Sequence, residues 1–234
     1  MSGIFNFKQF KVDQSGCAMK INTDGVLLAA LVESDKPDHI LDVGTGTGII
    51  ALMLAQRFSD ACITAVEIDS AAAATAGRNF KDSTFNSRLS ITNMAIEQYH
   101  SAKQFDLIVA NPPYFVNDLK STEKWKGIAR HAGDQFFKDL IAKVNDLLVD
   151  NGSFWFILPV KQAEFLIKEA ALHGFIVAKH ILLHSDLSKP AFRWIICLNR
   201  LKTETDIVHF YIYEREKVYT EAYRTLLKDF FLGY

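Results

Sequence analysis

Three glycines follow the first strongly apolar segment of the chain, in the run DVGTGTG at residues 42–48. Glycine lets the backbone turn sharply and lets a ligand approach without a Cβ in the way, and the following helix start offers unpaired N–H groups. A dinucleotide-binding loop needs G-x-G-x-x-G, but the third position of that pattern is Ile49 here. No G-K-[ST] follows, which excludes a P-loop. The loop favours a nucleotide-like cofactor over a plain strand–helix turn.

A second unusual segment, NPPY at residues 111–114, directly follows the apolar run FDLIVA. Its two prolines remove two backbone donors and fix two φ angles, which a core strand does not tolerate. The rigid loop carries the Asn111 amide, the free carbonyl of Pro112 and the Tyr114 ring. The amide oxygen and the carbonyl can each accept a hydrogen from an exocyclic amino group, and Tyr114 can stack on the ring that bears it. The segment suits a planar amide or an aminopurine.

Short apolar runs alternate with segments of helical spacing, and this alternation predicts the elements that position both loops. The predicted strands are 39–43, 62–67, 89–93, 105–110, 153–158, 176–183 and 192–198. The predicted helices are 48–57, 70–80 with Ser70 as its cap, 136–148 and 161–172. One more strand near Tyr211 and Tyr213 and a packing helix are expected at the C-terminus.

This pattern predicts an α/β fold with a mostly parallel seven-stranded sheet, helices on both faces and an antiparallel hairpin at one edge. Ligands in such folds bind beyond the carboxyl ends of the strands. We expect one structural domain overall, in which residues 1–38 form an N-terminal segment over the site and residues 39–234 form the main domain.

The pattern D-x-G-x-G-x-G resembles the first motif of class I S-adenosylmethionine-dependent methyltransferases. The resemblance implies a Rossmann-like fold and S-adenosyl-L-methionine as cofactor, with S-adenosyl-L-homocysteine as product. In that family the loop packs against the methionine part of the cofactor, and the acid stabilises its ammonium end directly or through water. The residues that this assigns to the cofactor are Asp42, Gly44, Thr45, Gly46 and Gly48.

Glu67 ends the second predicted strand, 19 residues after Gly48, where a carboxylate can accept both ribose hydroxyls. Asp69 is the weaker candidate and is expected to cap the next helix. Members of the family often bind the adenine amino group with an aspartate, but Ala95 occupies that position here. Adenine recognition is then expected to rest on the backbone N–H of Ile96 and on apolar packing by Ile68 and Ile96.

The NPPY segment resembles the fourth motif of amino-methyltransferases that act on adenine N6, cytosine N4 or glutamine N5. The resemblance implies that Asn111 and Pro112 orient the amino group, that Tyr114 stacks on the base, and that Asn111 also lies against the cofactor. Because transfer depends on positioning and electrostatics, no strong general base is required.

The N-terminal segment narrows the choice of substrate. FKQF at 7–10, CAMK at 17–20 and TDG at 23–25 resemble the leader of the bacterial tRNA1(Val) (adenine(37)-N6)-methyltransferase family. That family methylates N6 of the adenosine 3′ of the valine anticodon. The resemblance places Lys20, Thr23 and Asp24 near the cofactor, with Thr23 capping a short helix over it.

A tRNA substrate requires phosphate contacts. Residues 120–131 (KSTEKWKGIARH) combine cations with a tryptophan and are interpreted as a mobile, RNA-facing loop. The candidate RNA contacts are Phe115, Lys120, Lys124, Lys126, Arg130 and, near the edge hairpin, Arg193, with Lys189 second to it. For any one of these residues, a position in a solvated charged loop without RNA contact is an equally good interpretation.

Composition bounds the remaining classes. The 234 residues carry 26 Lys plus Arg and 27 Asp plus Glu, a net charge of -1, which excludes a strongly basic binder. The three cysteines form no CxxC pair, so neither a metal site nor a disulfide framework is predicted, and they suit a reducing cytoplasm. Neither a signal peptide nor a membrane span is expected. The oligomeric state is left open.

Two alternatives to tRNA adenine methylation stay open. The first is N-methylation of another amino group, in rRNA, DNA or a protein glutamine, although only about 38 residues precede the first predicted strand, too few for an additional recognition domain. The second is a non-catalytic RNA-binding relative, which has no need of both intact motifs. An NAD-linked oxidoreductase is disfavoured by the glycine spacing.

Overall fold

The computed structural model describes residues 3–17, 19–113, 123–201 and 204–233, and only the backbone of residues 123–132. The strands are β1 (Ile4–Asn6), β2 (Lys11–Asp13), β3 (His39–Val43), β4 (Cys62–Glu67), β5 (Leu89–Asn93), β6 (Phe105–Ala110), β7 (Leu148–Leu158), β8 (Ile176–His184), β9 (Ala191–Asn199), β10 (Asp206–Tyr211), β11 (Tyr213–Arg215) and β12 (Val218–Tyr219). The helices are α1 (Thr23–Leu31), α2 (Ile49–Arg57), α3 (Ser70–Lys81), α4 (Glu123–Leu147), α5 (Val160–Ala171) and α6 (Glu221–Leu227).

The main sheet has the strand order β10-β8-β9-β7-β6-β3-β4-β5. Its five strands from β5 to β7 are parallel, β9 is antiparallel to β7 and β8, and β10 is parallel to β8. The predicted Rossmann-like α/β class is confirmed. The sheet has eight strands and not seven, because the predicted C-terminal strand joins it as β10. The β8–β9 hairpin is therefore covered and does not form the edge.

Helices cover both faces of the sheet, as predicted. One core cluster joins α1, α2, α3 and α6 to the sheet, and the other joins α4 and α5 to its opposite face. Phe7, Phe10 and Val12 of the N-terminal segment are buried in the first cluster. This burial anchors the segment to the same core as the sheet, since apolar area removed from water stabilises the contact.

The start of α3 confirms one of two predictions. Its N-cap is Asp69, as expected, whose side chain accepts a hydrogen bond from Ala72 N, whereas Ser70 is the first helical residue and not the cap. The predicted loop at residues 120–131 is wrong from Glu123 onward, because α4 begins there. Its first turns contain Gly127, a poor helix former, but otherwise mainly good ones such as Glu, Lys, Ala and Arg, and no proline. Among the described residues, no helix combines the length and apolarity needed to cross a membrane.

Candidate active site

A cavity of about 380 Å³ opens at the carboxyl ends of β3, β4 and β6, where parallel sheets bind ligands. Its walls are largely apolar with a few polar groups, which is the usual composition of a small-molecule site. The predicted site residues that line it are Gly44, Gly46, Glu67, Ile68, Ala95, Ile96, Asn111 and Pro112. The glycine loop and the NPPY segment, far apart in sequence, thus share one space.

The glycine loop approaches the cavity with its backbone. Gly44 and Gly46 have φ values of 69° and 58°, and a Cβ added at either would meet no protein atom within 4 Å. Gly48, with a φ of 84°, packs instead against α3, where a Cβ would lie 2.5 Å from Cε1 of Phe80. The first two glycines leave space for a ligand, and the third leaves space for the Phe80 ring.

Glu67 holds the loop from the end of β4. Its Oε2 accepts a hydrogen bond of 2.8 Å from Gly46 N, and its Oε1 accepts one of 2.9 Å from Asp69 N. The residue is 8% exposed and lines the cavity. Each carboxylate oxygen has more than one acceptor site, so Glu67 keeps the capacity to accept hydrogen bonds from the hydroxyls of a ligand.

Asp42 lies behind the loop and is fully buried. Its Oδ2 accepts hydrogen bonds from the Thr45 hydroxyl at 2.5 Å and from Ala51 N at 3.2 Å. Its Oδ1 is buried without a hydrogen-bond partner among the described residues. Burial raises the pKa of this carboxyl to about 7; the Glu67 charge acts in the same direction, against the two hydrogen bonds. Asp42 and Thr45 shape the turn of the loop from behind.

Part of the cavity wall is apolar, although Glu97 also lines the cavity. Ile68, Ala95 and Ile96 line it, and Ile68 is 70% exposed, which leaves its side chain available to a ligand. Ile96 begins a short 3-10 helix, Ile96–Gln98, so its N–H lies at the position where a helix offers no internal acceptor. This apolar part of the wall fits a flat, weakly polar ring such as adenine.

Asn111 and Pro112 follow β6 directly and line the same cavity. Asn111 is half-buried and Pro112 is buried. The first turn of α1 packs against the Asn111 amide: a Cβ added to Gly25 would lie 3.5 Å from its Nδ2. Tyr114, the predicted stacking residue, lies outside the described residues. In the described part of the segment, Asn111 and Pro112 are thus the residues of the motif that reach the cavity wall together with Pro113.

The predicted cofactor contacts that do not line the cavity are Lys20, Thr23, Asp42, Thr45 and Gly48. The Lys20 ammonium donates to the carbonyl of Gln14 at 2.7 Å. The prediction that Thr23 caps α1 is wrong, because the cap is Asn22, whose Oδ1 accepts a hydrogen bond of 2.9 Å from Gly25 N. An asparagine is as good an N-cap as a threonine, and here it precedes Thr23 by one position.

The structure describes the predicted RNA-contacting residues to different extents. Phe115 and Lys120 lie outside the described residues. Lys124, Lys126 and Arg130 are on the first turns of α4, where the structure describes the backbone alone. Arg193 on β9 forms an ion pair with Asp24, with 2.8 Å between Nε and Oδ2. Contact of these residues with RNA stays a prediction.

Several residues of the site carry no signal in the sequence. Met19 lines the cavity from within the CAMK segment, although that motif does not single it out as a contact. Ala72, Met94 and Phe136 also line the cavity, but they are apolar residues outside any motif. Asn79 of α3 is another: its Nδ2 donates to the carbonyls of Asp13 at 2.9 Å and Thr47 at 2.8 Å, and its Oδ1 accepts from Asp13 N at 2.9 Å. One buried amide thus ties the N-terminal segment to the glycine loop.

Comparison with known proteins agrees with this architecture. The family "Methyltransferase small domain" matches residues 17–177. A tRNA1(Val) (adenine(37)-N6)-methyltransferase of Pedobacter heparinus is 50% identical over 234 residues, which is 100% of both chains. A protein of the same name from Dyadobacter fermentans is 37% identical over 234 residues, with 98% of each chain covered.

Two solved structures share the fold. A predicted O-methyltransferase from Agrobacterium tumefaciens superposes with a TM-score of 0.66 at 18% identity, covering 88% of this chain and 96% of that one. A glycopeptide N-methyltransferase solved with (S)-adenosyl-L-methionine has a TM-score of 0.56 at 12% identity, covering 76% and 92%. At these identities the likeness concerns the fold alone. The family match and the full-length identity go further: the chain belongs to the methyltransferase small-domain family and, within it, to the tRNA1(Val) (adenine(37)-N6)-methyltransferases.

Proposed function

We propose that this protein methylates N6 of adenine 37 in the anticodon loop of tRNA1(Val), with S-adenosyl-L-methionine as methyl donor. The single observation that carries the proposal is that Gly44, Gly46 and Glu67 line one cavity together with Asn111 and Pro112. A cofactor site and an amine-orienting corner in one space allow direct transfer between two bound reactants. The related proteins from Pedobacter heparinus and Dyadobacter fermentans are named for this activity.

The residues fit the cofactor. The positions of Gly44 and Gly46 leave open space next to the backbone, which suits the methionine part. The Glu67 carboxylate, fixed by two backbone amides, suits the ribose hydroxyls, and the apolar wall at Ile68 and Ile96 suits the adenine ring. S-adenosyl-L-methionine supplies an electrophilic methyl group on a positively charged sulfur.

The corner at Asn111 and Pro112 orients the nucleophile. An adenine N6 lone pair is delocalised into the ring and is a poor nucleophile. Asn111 Oδ1 and the Pro112 carbonyl are acceptors that can each bind one N6 hydrogen, which favours a pyramidal nitrogen and directs its lone pair toward the cavity. The nitrogen loses its proton after methylation, when that proton is acidic, so no strong base is needed.

We propose that the N-terminal segment, residues 1–38, completes the site over the Rossmann-like domain of residues 39–234. Cys17 and Met19 contribute to the cavity wall. An adenosine in an anticodon loop is already unpaired, so turning it into the cavity requires less energy than extracting a base from a duplex. We further propose that Tyr114 stacks on that base, because an aromatic ring can stack on the flat face of a purine.

The test uses the purified protein, S-adenosyl-L-methionine and an unmodified tRNA1(Val) transcript. We expect N6-methyladenosine by nucleoside mass spectrometry, and none from a transcript with guanosine at position 37. Titration calorimetry with S-adenosyl-L-homocysteine measures cofactor binding separately. Absence of product from the adenosine transcript, despite bound S-adenosyl-L-homocysteine, would contradict the substrate assignment. Methylation of rRNA, DNA or a glutamine peptide instead would identify one of the alternative amino groups.

A further inference from the structure

A second cavity, of about 550 Å³, lies between the loop that follows β8 and the β11–β12 hairpin. We call it the hairpin pocket. It is lined by Ser185, Asp186 and Lys189 of the loop and by Tyr213, Arg215, Glu216, Lys217 and Tyr219 of the hairpin. It shares no lining residue with the cavity at the glycine loop.

The hairpin pocket and the Asn111–Pro112 corner lie on the same side of the sheet, where the parallel strands β6 and β8 have their carboxyl ends. β9 is antiparallel to both β7 and β8, and β7 is parallel to β6, so β6 and β8 end at the same edge. Three strand spacings of roughly 4.8 Å separate β6 from β8, which puts the two strand ends about 14 Å apart. That distance corresponds to a few nucleotides of an RNA strand.

The lining carries three cations, Lys189, Arg215 and Lys217, against the two acids Asp186 and Glu216. In the part of the chain that the structure describes, neither Arg215 nor Lys217 forms a salt bridge. Asp186 accepts hydrogen bonds from Ser185 and Ser188 of its own loop. The Lys189 ammonium is 3.4 Å from that carboxylate and its side chain is 64% exposed. All three cations are accessible to an anion.

Aromatic rings lie beside these cations. Tyr213 and Tyr219 stack with centroids 4.9 Å apart, and Tyr219 stacks on Tyr223 at 4.5 Å. The hairpin turn is Glu216–Lys217, and Lys217 has a φ of 61°, a backbone conformation that favours glycine. A lysine at that position places an ammonium at the tip of the turn. Cations interleaved with tyrosines are the chemistry by which proteins hold the backbone and bases of single-stranded RNA.

We propose that the hairpin pocket is a phosphate-binding subsite for the RNA substrate, in which Lys189, Arg215 and Lys217 contact phosphates of nucleotides that flank the adenosine held at Asn111. The proposal rests on the proposed function, because it assigns an RNA to the active site. In this arrangement the anticodon arm runs across the carboxyl ends of the strands, from β6 toward β8. An acidic surface of a protein partner is the competing occupant, and the test below separates the two.

The test is Arg215→Ala/Lys217→Ala, compared with Lys36→Ala/Lys103→Ala. The control removes two exposed lysines that precede β3 and β6 and therefore lie at the amino ends of the parallel strands, on the opposite side of the sheet from the hairpin pocket. For the hairpin variant we expect the KM for tRNA to rise about tenfold with kcat nearly unchanged, since a phosphate contact contributes uniform binding. We also expect the plot of the logarithm of the tRNA association constant against the logarithm of the salt concentration to become less steep, by about 2 in slope. Affinity for S-adenosyl-L-homocysteine should stay at the wild-type value.

The charge-conserving variant Arg215→Lys/Lys217→Arg is expected to keep the wild-type KM, which separates loss of charge from misfolding of the hairpin. Wild-type KM and salt slope in the alanine variant would overturn the proposal and leave an acidic protein partner as the occupant. An equal loss in the control variant would overturn it too, since the effect would then follow net charge. Failure of the wild-type protein to methylate any tRNA would instead contradict the proposed function.

Discussion

The Asp24 carboxylate accepts a hydrogen bond of 2.8 Å from Nε of Arg193, and this ion pair joins the first turn of α1 to β9. Both side chains are largely buried, at 11% and 23% exposure. The next residue, Gly25, packs against the Asn111 amide. The N-terminal segment is thus fixed to the sheet beside the residue that we assign to orienting the substrate amine.

Arg193→Gln should loosen this attachment. Removal of one partner from a partly buried pair leaves Asp24 without its cation, so we expect the free energy of unfolding to fall by about 1–2 kcal/mol. Chemical denaturation measures it. The Asp24→Asn single variant and the Asp24→Asn/Arg193→Gln double variant complete a cycle that isolates the interaction of the pair. Additive losses in that cycle would mean that the two residues do not interact.

Asn111→Ala should remove one of the two acceptors for the substrate amine. We expect kcat to fall by at least about 10²-fold, because positioning and charge stabilisation depend on the amide. Affinity for S-adenosyl-L-homocysteine should change little, because Gly44, Gly46 and Glu67 are untouched. Asn86→Ala, an exposed asparagine before β5, serves as the control. An Asn111→Ala enzyme with wild-type kcat would remove Asn111 from the mechanism.

Gly46→Ala and Gly48→Ala should fail in different ways. At Gly46 the added Cβ meets open space, so we expect a loss of roughly 1 kcal/mol of stability from the left-handed backbone and a larger loss of cofactor affinity. At Gly48 the Cβ meets the Phe80 ring, so overpacking adds about 1–3 kcal/mol of destabilisation. Thermal unfolding measures the stability of both variants, and calorimetry measures their affinity for S-adenosyl-L-homocysteine. Equal stability losses would contradict this division of roles.

Asp42 should make the stability of the protein depend on pH. Its pKa is raised from 3.8 to about 7 in the folded state, so between these values the folded state binds more protons than the unfolded state. The contribution of Asp42 to stability is therefore greatest at low pH and is lost as the pH rises toward about 7. The full change corresponds to about 4 kcal/mol.

Denaturation of the wild type and of Asp42→Asn at several pH values between 4 and 8 isolates that contribution. The asparagine does not titrate, so the difference in unfolding free energy between the two proteins should move in favour of the variant as the pH rises. A difference that stays constant over this range would show that the Asp42 carboxyl titrates near its ordinary pKa.

Much of the fold follows from local patterns in the chain. The five parallel strands are apolar runs such as 39–43 and 105–110, bounded by turn residues, and the rule that ligands bind at carboxyl ends of strands brings Gly44 and Asn111 together. The start of α4 does not follow from the sequence, because charged residues such as Lys124 and Lys126 are compatible with both a loop and an exposed helix. Nothing local indicates that β10 pairs with β8, since that choice depends on which edge is free.

The site was predicted less completely than the fold. A motif names the loop but does not say which side chains face the ligand: Asp42 turns inward because the start of α2 supplies Ala51 N to its carboxylate. Three adjacent residues, Asn22, Thr23 and Asp24, are all able to cap α1, and only the backbone geometry selects Asn22. Met94 and Phe136 reach the cavity through tertiary packing alone.

The hydrogen bonds of Asn79 couple the N-terminal segment to the glycine loop. The same amide group holds Asp13 of the N-terminal segment and Thr47 of the glycine loop. We expect a small molecule that stabilises the loop to stabilise the segment as well, and by thermodynamic reciprocity the segment then favours retention of that molecule. Saturation with S-adenosyl-L-homocysteine should accordingly slow proteolytic cleavage of residues 3–17, and that protection should be lost in Asn79→Ala.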